Sequence, residues 1–173
     1  MAISELVAIV RAPQQALETD NGNVWTRVVE DIGLTLPGDL REFGERYGSG
    51  RFCGGFIQVF NPLSVHYRKF IDHECNLLRK IASDIVPIEF AIYADRPGLF
   101  PWGRDEHGHR MYWLTEGLPE HWPIILRTRE CEFERWEMPI TTFLAKALSN
   151  EIKCLLWQTP FSKKQRVFNP GMT

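Results

Sequence analysis

Apolar residues recur at helical spacing at the start of the chain. Leu6, Ile9 and Val10 share one face of a short opening helix. Ser4 is a suitable cap for that helix, and Pro13 is expected to end it. The pattern therefore predicts a short amphipathic helix at the amino-terminal end.

Two further helices are predicted after a polar arm at residues 14–22. Asn23 caps a helix that ends at Gly33, and Pro37 begins another that ends at Gly48. Because only a short connection separates them, the two helices must pack at an angle against a shared core. The residues that we predict to lie in this core are Trp25, Leu40, Phe43, Tyr47, Phe143 and Leu144.

Beyond Gly48 the spacing of apolar residues changes from the helical period to that of a strand. We predict a strand at residues 52–60, a long helix at 64–83 and a closing helix at 139–149 that ends at Asn150. Between the last two helices the pattern predicts strands at 88–94, 99–103, 110–114, 122–128 and 131–136. The segment 161–173 is expected to be frayed.

This order of elements predicts an α+β fold in a single domain. The sheet is expected to be largely antiparallel, a meander with some mixed pairing, with the helices packed on one side of it. We divide the chain into an N-terminal helix and arm (1–22), a main domain (23–150) and a partly docked C-terminal extension (151–173).

Composition narrows the classes of function. A chain of 173 residues fits one domain with a sizeable core, and its formal net charge of −2 does not favour a nucleic-acid binder. Neither a membrane span nor a secretory signal is expected, so cytoplasm is the predicted location. The four cysteines, scattered without a CxxC pair, are expected to be free and to act as small apolar residues.

The hairpin tip predicted at residues 105–109 is the best cluster of titratable side chains. Asp105, Glu106, His107 and His109 could serve acid–base chemistry or bind a metal, but a solvated turn has the same composition. Ser49 lacks the GxSxG context of a nucleophile. We therefore predict no catalytic residues, no metal and no cofactor.

Acidic residues crowd one predicted strand. If Cys131 and Phe133 face inward, strict alternation sends Glu132, Glu134 and Trp136 outward together. An outward tryptophan beside carboxylates suits a basic, partly apolar protein partner. A local bulge could instead return Trp136 to the core. The predicted partner-binding residues are Arg104, Asp105, His107, Glu132, Glu134 and Trp136.

Four segments, taken in order, resemble the SUKH superfamily over about residues 23–150. They are Trp25…Ile32-Gly33 followed by Leu36-Pro37-Gly38-Asp39-Leu40…Tyr47-Gly48-Ser49-Gly50; Val59-Phe60-Asn61-Pro62; Gly98-Leu99-Phe100-Pro101-Trp102-Gly103-Arg104-Asp105-Glu106-His107-Gly108 with Tyr112-Trp113-Leu114-Thr115; and Trp122-Pro123-Ile124-Ile125 with Glu134…Trp136…Phe143-Leu144. The superfamily comprises bacterial immunity proteins and related fungal regulators of cell-wall synthesis. The arm at 14–23 and the tail after Asn150 depart from its core pattern.

The resemblance implies an α+β domain that binds proteins and has no catalytic residues to transfer. The expected function is that of a cytoplasmic immunity protein, monomeric or weakly dimeric, that neutralises a cognate polymorphic toxin and binds neither nucleic acid nor membrane. Two alternatives stay open: a regulatory scaffold, and a small-ligand-binding or hydrolytic enzyme that uses the 105–109 hairpin.

Overall fold

The computed structural model describes residues 2–19 and 22–171; residues 1, 20, 21, 172 and 173, which include parts of the predicted arm and tail, lie outside the described residues. Within this part of the chain, five α-helices accompany a seven-stranded antiparallel sheet. The helices are α1 (Ala2–Ile9), α2 (Val24–Ile32), α3 (Gly38–Arg46), α4 (Tyr67–Asp84) and α5 (Ile140–Ser149). The strands are β1 (Gly50–Phe52), β2 (Ile57–Val59), β3 (Leu99–Asp105), β4 (Arg110–Leu114), β5 (Ile124–Arg127), β6 (Phe133–Trp136) and β7 (Phe168–Pro170). The predicted α+β class in one domain is confirmed, and none of the described helices is long and apolar enough to cross a bilayer.

Three predicted helix ends are confirmed, but the predicted helix starts are less accurate: Asn23 precedes α2 without a side-chain cap hydrogen bond, and Pro37 precedes α3 without joining it. Gly33, Gly48 and Asn150 take φ values of 71°, 66° and 67°, the left-handed conformation that closes each helix. Helix α1 begins at Ala2, so Ser4 lies inside the helix and is not its cap.

The polar arm is docked on the glycine that closes α3. Leu17 forms a parallel bridge with Gly48, and a Cβ on Gly48 would lie 2.1 Å from the Leu17 carbonyl oxygen. The Glu18 carboxylate then accepts hydrogen bonds from the Ser64 hydroxyl (3.1 Å) and the Val65 N–H (3.3 Å) at the entrance to α4. Gly48 therefore serves both the turn and the close approach of the arm.

The sheet has the order β6-β5-β4-β3-β2-β1-β7. Two predictions of strands are wrong. Residues 52–60 form two strands, because a 3₁₀ turn at Cys53–Gly55 reverses the chain between β1 and β2. Residues 88–94 form no strand beyond an isolated bridge from Ile92 to Leu99, because their alternating apolar side chains pack on the core without pairing in the ladder.

Residues 161–171 are part of the fold, so the prediction that segment 161–173 is frayed is wrong for the part of it that the structure describes. Strand β7 pairs with β1, and Phe168 packs its ring against Phe43, Tyr47 and Phe52 at centroid distances of 6.5, 5.1 and 4.9 Å. Phe161 is also buried. Aromatic residues spaced along a polar segment hold the tail against the body.

One face of the sheet carries most of the aromatic core, and we call it the aromatic face. Its central side chains are Phe100, Trp102 and Trp113, and Trp102 packs against Phe143 of α5 at 6.4 Å. Helices α1 and α3 pack beside α5 on this side. The predicted core is fully buried at Leu40, Phe43, Tyr47, Phe143 and Leu144, whereas Trp25 is only partly buried against it.

Helix α4 lies on the opposite face, which we call the α4 face. Its Leu78 packs in a second apolar cluster with Leu99, Tyr112 and Ile125, whose side chains alternate with those of the aromatic face. The prediction that the helices lie on one side of the sheet therefore holds for α1, α3 and α5 and fails for α4. Both faces of the central strands are covered.

Candidate binding surface

Three loops meet at one end of the sheet. In an antiparallel meander alternate connections return to the same end, which brings together the 53–56 turn, the 106–109 hairpin and the 128–132 turn. The tail at 155–161 passes beside them and completes a cleft of about 650 Å³. We call this space the end cleft; the side chains that characterise it are Phe56, His107, His109, Thr128, Glu130, Glu132, Leu155, Trp157, Pro160 and Phe161.

Asp105 holds together the hairpin and the tail that border the end cleft. Its carboxylate is buried, with Oδ1 accepting the N–H groups of His107 (3.0 Å) and His109 (3.1 Å). Its Oδ2 accepts the Trp157 indole N–H (3.0 Å) and lies 2.9 Å from Nδ1 of His109. These four contacts use the lone pairs of the carboxylate. Asp105 was predicted to contact a partner, but this side chain instead fixes the hairpin and ties the tail to it.

His107 and the acidic residues of the 128–132 turn remain at the surface. His107 packs edge-on against Phe56 at 4.8 Å, with its own side chain exposed. Glu130 and Glu132 are both exposed at the rim of the end cleft. Of the six predicted partner-binding residues, His107 and Glu132 are the two that lie exposed at the same site.

Glu134 and Trp136 do share one face, as alternation predicts, but that face is not free. The register of β6 on β5 pairs Trp136 with Ile124 and Glu134 with Leu126, which places both on the aromatic face. Trp136 packs on Phe143 at 5.9 Å and donates its indole N–H to Glu134 (2.9 Å). The prediction of Trp136 as an exposed anchor is therefore wrong, because α5 covers its ring.

The tail also forms a hydrogen bond with Glu134. Oε2 of Glu134 accepts the Leu155 N–H at 2.8 Å, and the Glu134 side chain is half-buried between strand β6 and the tail. Glu134 therefore fixes the tail, and its predicted role as an outward partner contact is not supported by this placement.

Arg104 lies on the α4 face, away from the end cleft. Its Nε donates to the Gln58 side-chain oxygen (2.9 Å), and its Nη1 lies 3.6 Å from Glu74. The guanidinium group also stacks over Phe60 and Phe70, at 5.8 and 5.7 Å from the ring centroids. The predicted partner surface is thus divided between two sides of the sheet.

Sequence patterning missed a row of arginines that crosses the α4 face. The register pairs Arg51 with Gln58, Gln58 with Arg104, Arg104 with Arg110, and Arg110 with Arg127. We call Arg51, Arg104, Arg110 and Arg127 the arginine row. Alternation within each strand is visible in the sequence, but this register depends on the bulge between Pro101 and Gly103 and on the reversal between β1 and β2.

One buried carboxylate serves the middle of the arginine row. Glu74 of α4 is 1% exposed, accepts a hydrogen bond from Nε of Arg110 and lies beside Arg104. Burial lowers the pKa of Arg104, Glu74 opposes that shift, and the positive charges of Arg110 and Arg51 add to it. The row therefore contains more positive charge than its buried partner balances.

Three of the four thiols show no features of nucleophiles. Burial raises the pKa of Cys53 to about 11, of Cys75 to about 12 and of Cys154 to about 11, so these groups are protonated at neutral pH. All four cysteines are free. Among residues 2–19 and 22–171, no group of three or more His, Cys, Asp or Glu side chains is arranged to hold a metal ion.

Comparison of the chain with protein-family models, with curated proteins and with solved structures gives no match.

Proposed function

We propose that this chain is a non-catalytic protein-binding domain, an immunity protein of the SUKH type that neutralises a cognate toxin in the cytoplasm. In this proposal the end cleft is the surface that contacts the toxin. The observation that carries the proposal is the combination at one open site of a half-buried Phe56 and an exposed Pro160 with an acidic rim.

The chemistry of the end cleft suits a basic, partly apolar protein surface. Phe56 and Pro160 supply apolar contact area, while Glu130 and Glu132 supply exposed negative charge. Glu130 has a solvent-exposed ion pair with Arg129 at 3.6 Å, which is weak enough to exchange for a partner's cation. Such charges increase the rate of association more than they contribute to final affinity.

The state of the neighbouring titratable groups favours binding over catalysis. A general base needs an accessible lone pair, and Asp105 has its lone pairs engaged by the hairpin and the tail. The half-buried Cys53 at the same site is a protonated thiol. Hydrolysis at the 105–109 hairpin therefore has less support than protein binding.

The test is co-expression with the C-terminal domain of a toxin encoded beside the gene. The wild-type chain should restore growth and form a complex whose association rate is measured by stopped flow at low salt. Reversing charge with E130K and E132K together should slow association by about tenfold or more, and less so at high salt. Glu134 is left unchanged because the tail occupies it.

The matched control is the pair E42K and E120K, which makes the same charge change at exposed residues outside the end cleft. This control should retain protection and most of the association rate. Equal loss in both pairs would assign the effect to net charge and contradict the proposed surface. The absence of any neighbouring toxin gene, or failure of the wild-type chain to protect, would contradict the proposed function.

A further inference from the structure

The geometry points to an oxyanion-binding site between Arg51 and Arg104 on the α4 face, which accepts a phosphate or a carboxylate group of a ligand. This site does not include the end cleft and does not depend on the function proposed above. Arg104 shares the buried carboxylate of Glu74 with Arg110, and Arg51 faces the exposed carboxylate of Glu106.

The register brings the two cations to the same place. Arg51 and Arg104 flank Gln58 on adjacent strands, so their Cα atoms are about 10 Å apart across two strand spacings. All three side chains leave the same face of the sheet, because directly opposed residues of an antiparallel pair do so. Two arginine side chains over that span can converge on one oxyanion.

Charge along the row is unbalanced without a ligand. Four guanidinium groups cross the α4 face, against the buried carboxylate of Glu74 and the exposed one of Glu106, which lies 3.8 Å from Arg51. Like charges directly opposed on neighbouring strands are destabilising. An anion beside Arg51 and Arg104 would offset part of this excess positive charge at the end of the row farthest from the Arg110–Glu74 pair.

Deeper in the row, the polar groups are incompletely hydrogen-bonded to one another. The Glu74 Oε1, the Arg127 Nε and the Tyr112 hydroxyl are all buried without a hydrogen-bond partner. Each of these residues is at least nine-tenths buried. Arg104 uses its Nε for Gln58 and faces Glu74 with its Nη1, so its remaining N–H groups are those available to a second anion.

The site is held in place and is open to solvent. Arg104 is oriented by stacking on Phe60 and Phe70 and by its bond to Gln58, while Arg51 donates to the Gly55 carbonyl at 3.2 Å. The Arg51 side chain is 20% exposed, and the Arg104 side chain is 27% exposed. Planar guanidinium groups fixed in this way are suited to bidentate contacts with phosphate or carboxylate.

Thermal unfolding of the full chain in inorganic phosphate tests the site. Compared with sodium chloride of equal ionic strength and pH, about 20 mM phosphate should raise the unfolding midpoint by about 3 °C or more. The same measurement in citrate distinguishes the source of the oxyanion. A larger rise in phosphate supports a phosphate-bearing ligand, and a larger rise in citrate supports a carboxylate-bearing one.

Variants distinguish anion binding at this site from a general effect of salt on the unfolding midpoint. R51A and R104A should each lose most of the anion-specific rise, and R129A, which removes a side chain that is 75% exposed, should keep it. R51A leaves Glu74 and its partners in place, so the test survives if R104A fails to fold. The same rise in all variants, or no rise in either anion, would overturn the inference.

Discussion

The two faces of the sheet are both covered, but they differ in chemistry. On the aromatic face, Trp102 and Trp113 pack with α5 through Phe143. On the α4 face, the register instead sets four arginines across neighbouring strands, with Glu74 as their buried anion. The first face gains its stability from apolar area and packing, and the second balances charges that are partly removed from water.

This difference explains where a partner can bind. Alternation along β6 separates residues onto two faces, but α5 covers Trp136 and the tail engages Glu134. Neither face of the central strands is free to form a broad contact. The open polar and apolar groups are instead at the end of the sheet, where the loops form the end cleft.

Truncation on the aromatic face should have the largest effect. F143A removes a fully buried ring that contacts Trp102, Trp136 and Trp157, and it should lower the free energy of unfolding by about 3–5 kcal/mol. Urea unfolding followed by tryptophan fluorescence measures the loss. A change below about 1 kcal/mol would contradict the account of this face.

Loss of the buried anion should have the next largest effect. E74Q leaves the cations of Arg104 and Arg110 without their carboxylate and should cost about 2–3 kcal/mol, moderated by the partial exposure of both arginines. D72N on the same helix, which breaks an exposed pair with Arg68, is the control and should cost less than about 0.5 kcal/mol. Equal costs for the two variants would show that the row does not need Glu74.

At the end of the sheet, D105N should cost about 1–2 kcal/mol. An asparagine keeps one oxygen for the hairpin N–H groups, but its NH₂ would face the donors of His109 and Trp157. The exposed neighbour variant E106Q should change the free energy of unfolding by less than about 0.5 kcal/mol. If D105N changes the free energy of unfolding as little as E106Q does, the hairpin is not held by this carboxylate.

The reactivity of Cys53 should depend on pH more steeply than that of an unperturbed thiol. With its pKa raised to about 11, Cys53 should be alkylated by iodoacetamide about tenfold faster at pH 9 than at pH 8, because its thiolate fraction is still far from saturation. An unperturbed thiol would gain only about threefold. Mass spectrometry of the modified peptides measures each rate, and a threefold gain at Cys53 would contradict the effect of burial.

All four thiols should react in denaturant, and metal analysis should find no stoichiometric zinc.

The sequence predicts the local elements of this fold better than the contacts between them. Gly33, Gly48 and Asn150 mark the helix ends correctly because backbone conformation is a local property. The docking of Phe168 beside Phe43 and the reversal at residues 53–55 depend on distant packing and on glycine torsions that periodicity does not encode.

The same distinction holds for the candidate site. His107 and Glu132 were identified because hairpin tips and acidic turns are exposed in most folds. The arginine row could not be identified, since it requires the register of five strands at once. Asp105 and Glu134 were misplaced because Trp157 and Leu155 of the tail engage them, and the expectation of a partly docked tail specifies no such contacts.

Hydrogen exchange of the complex with the neighbouring toxin domain tests the central claim most directly. Mass spectrometry of the full chain, free and bound, should show slower exchange on binding at residues 53–56, 106–109, 128–132 and 155–161, which border the end cleft. The α4 helix and the 115–123 connection at the other end of the sheet should exchange at the same rate in both states. Protection concentrated on those two segments, with the end cleft unchanged, would contradict the proposed binding surface.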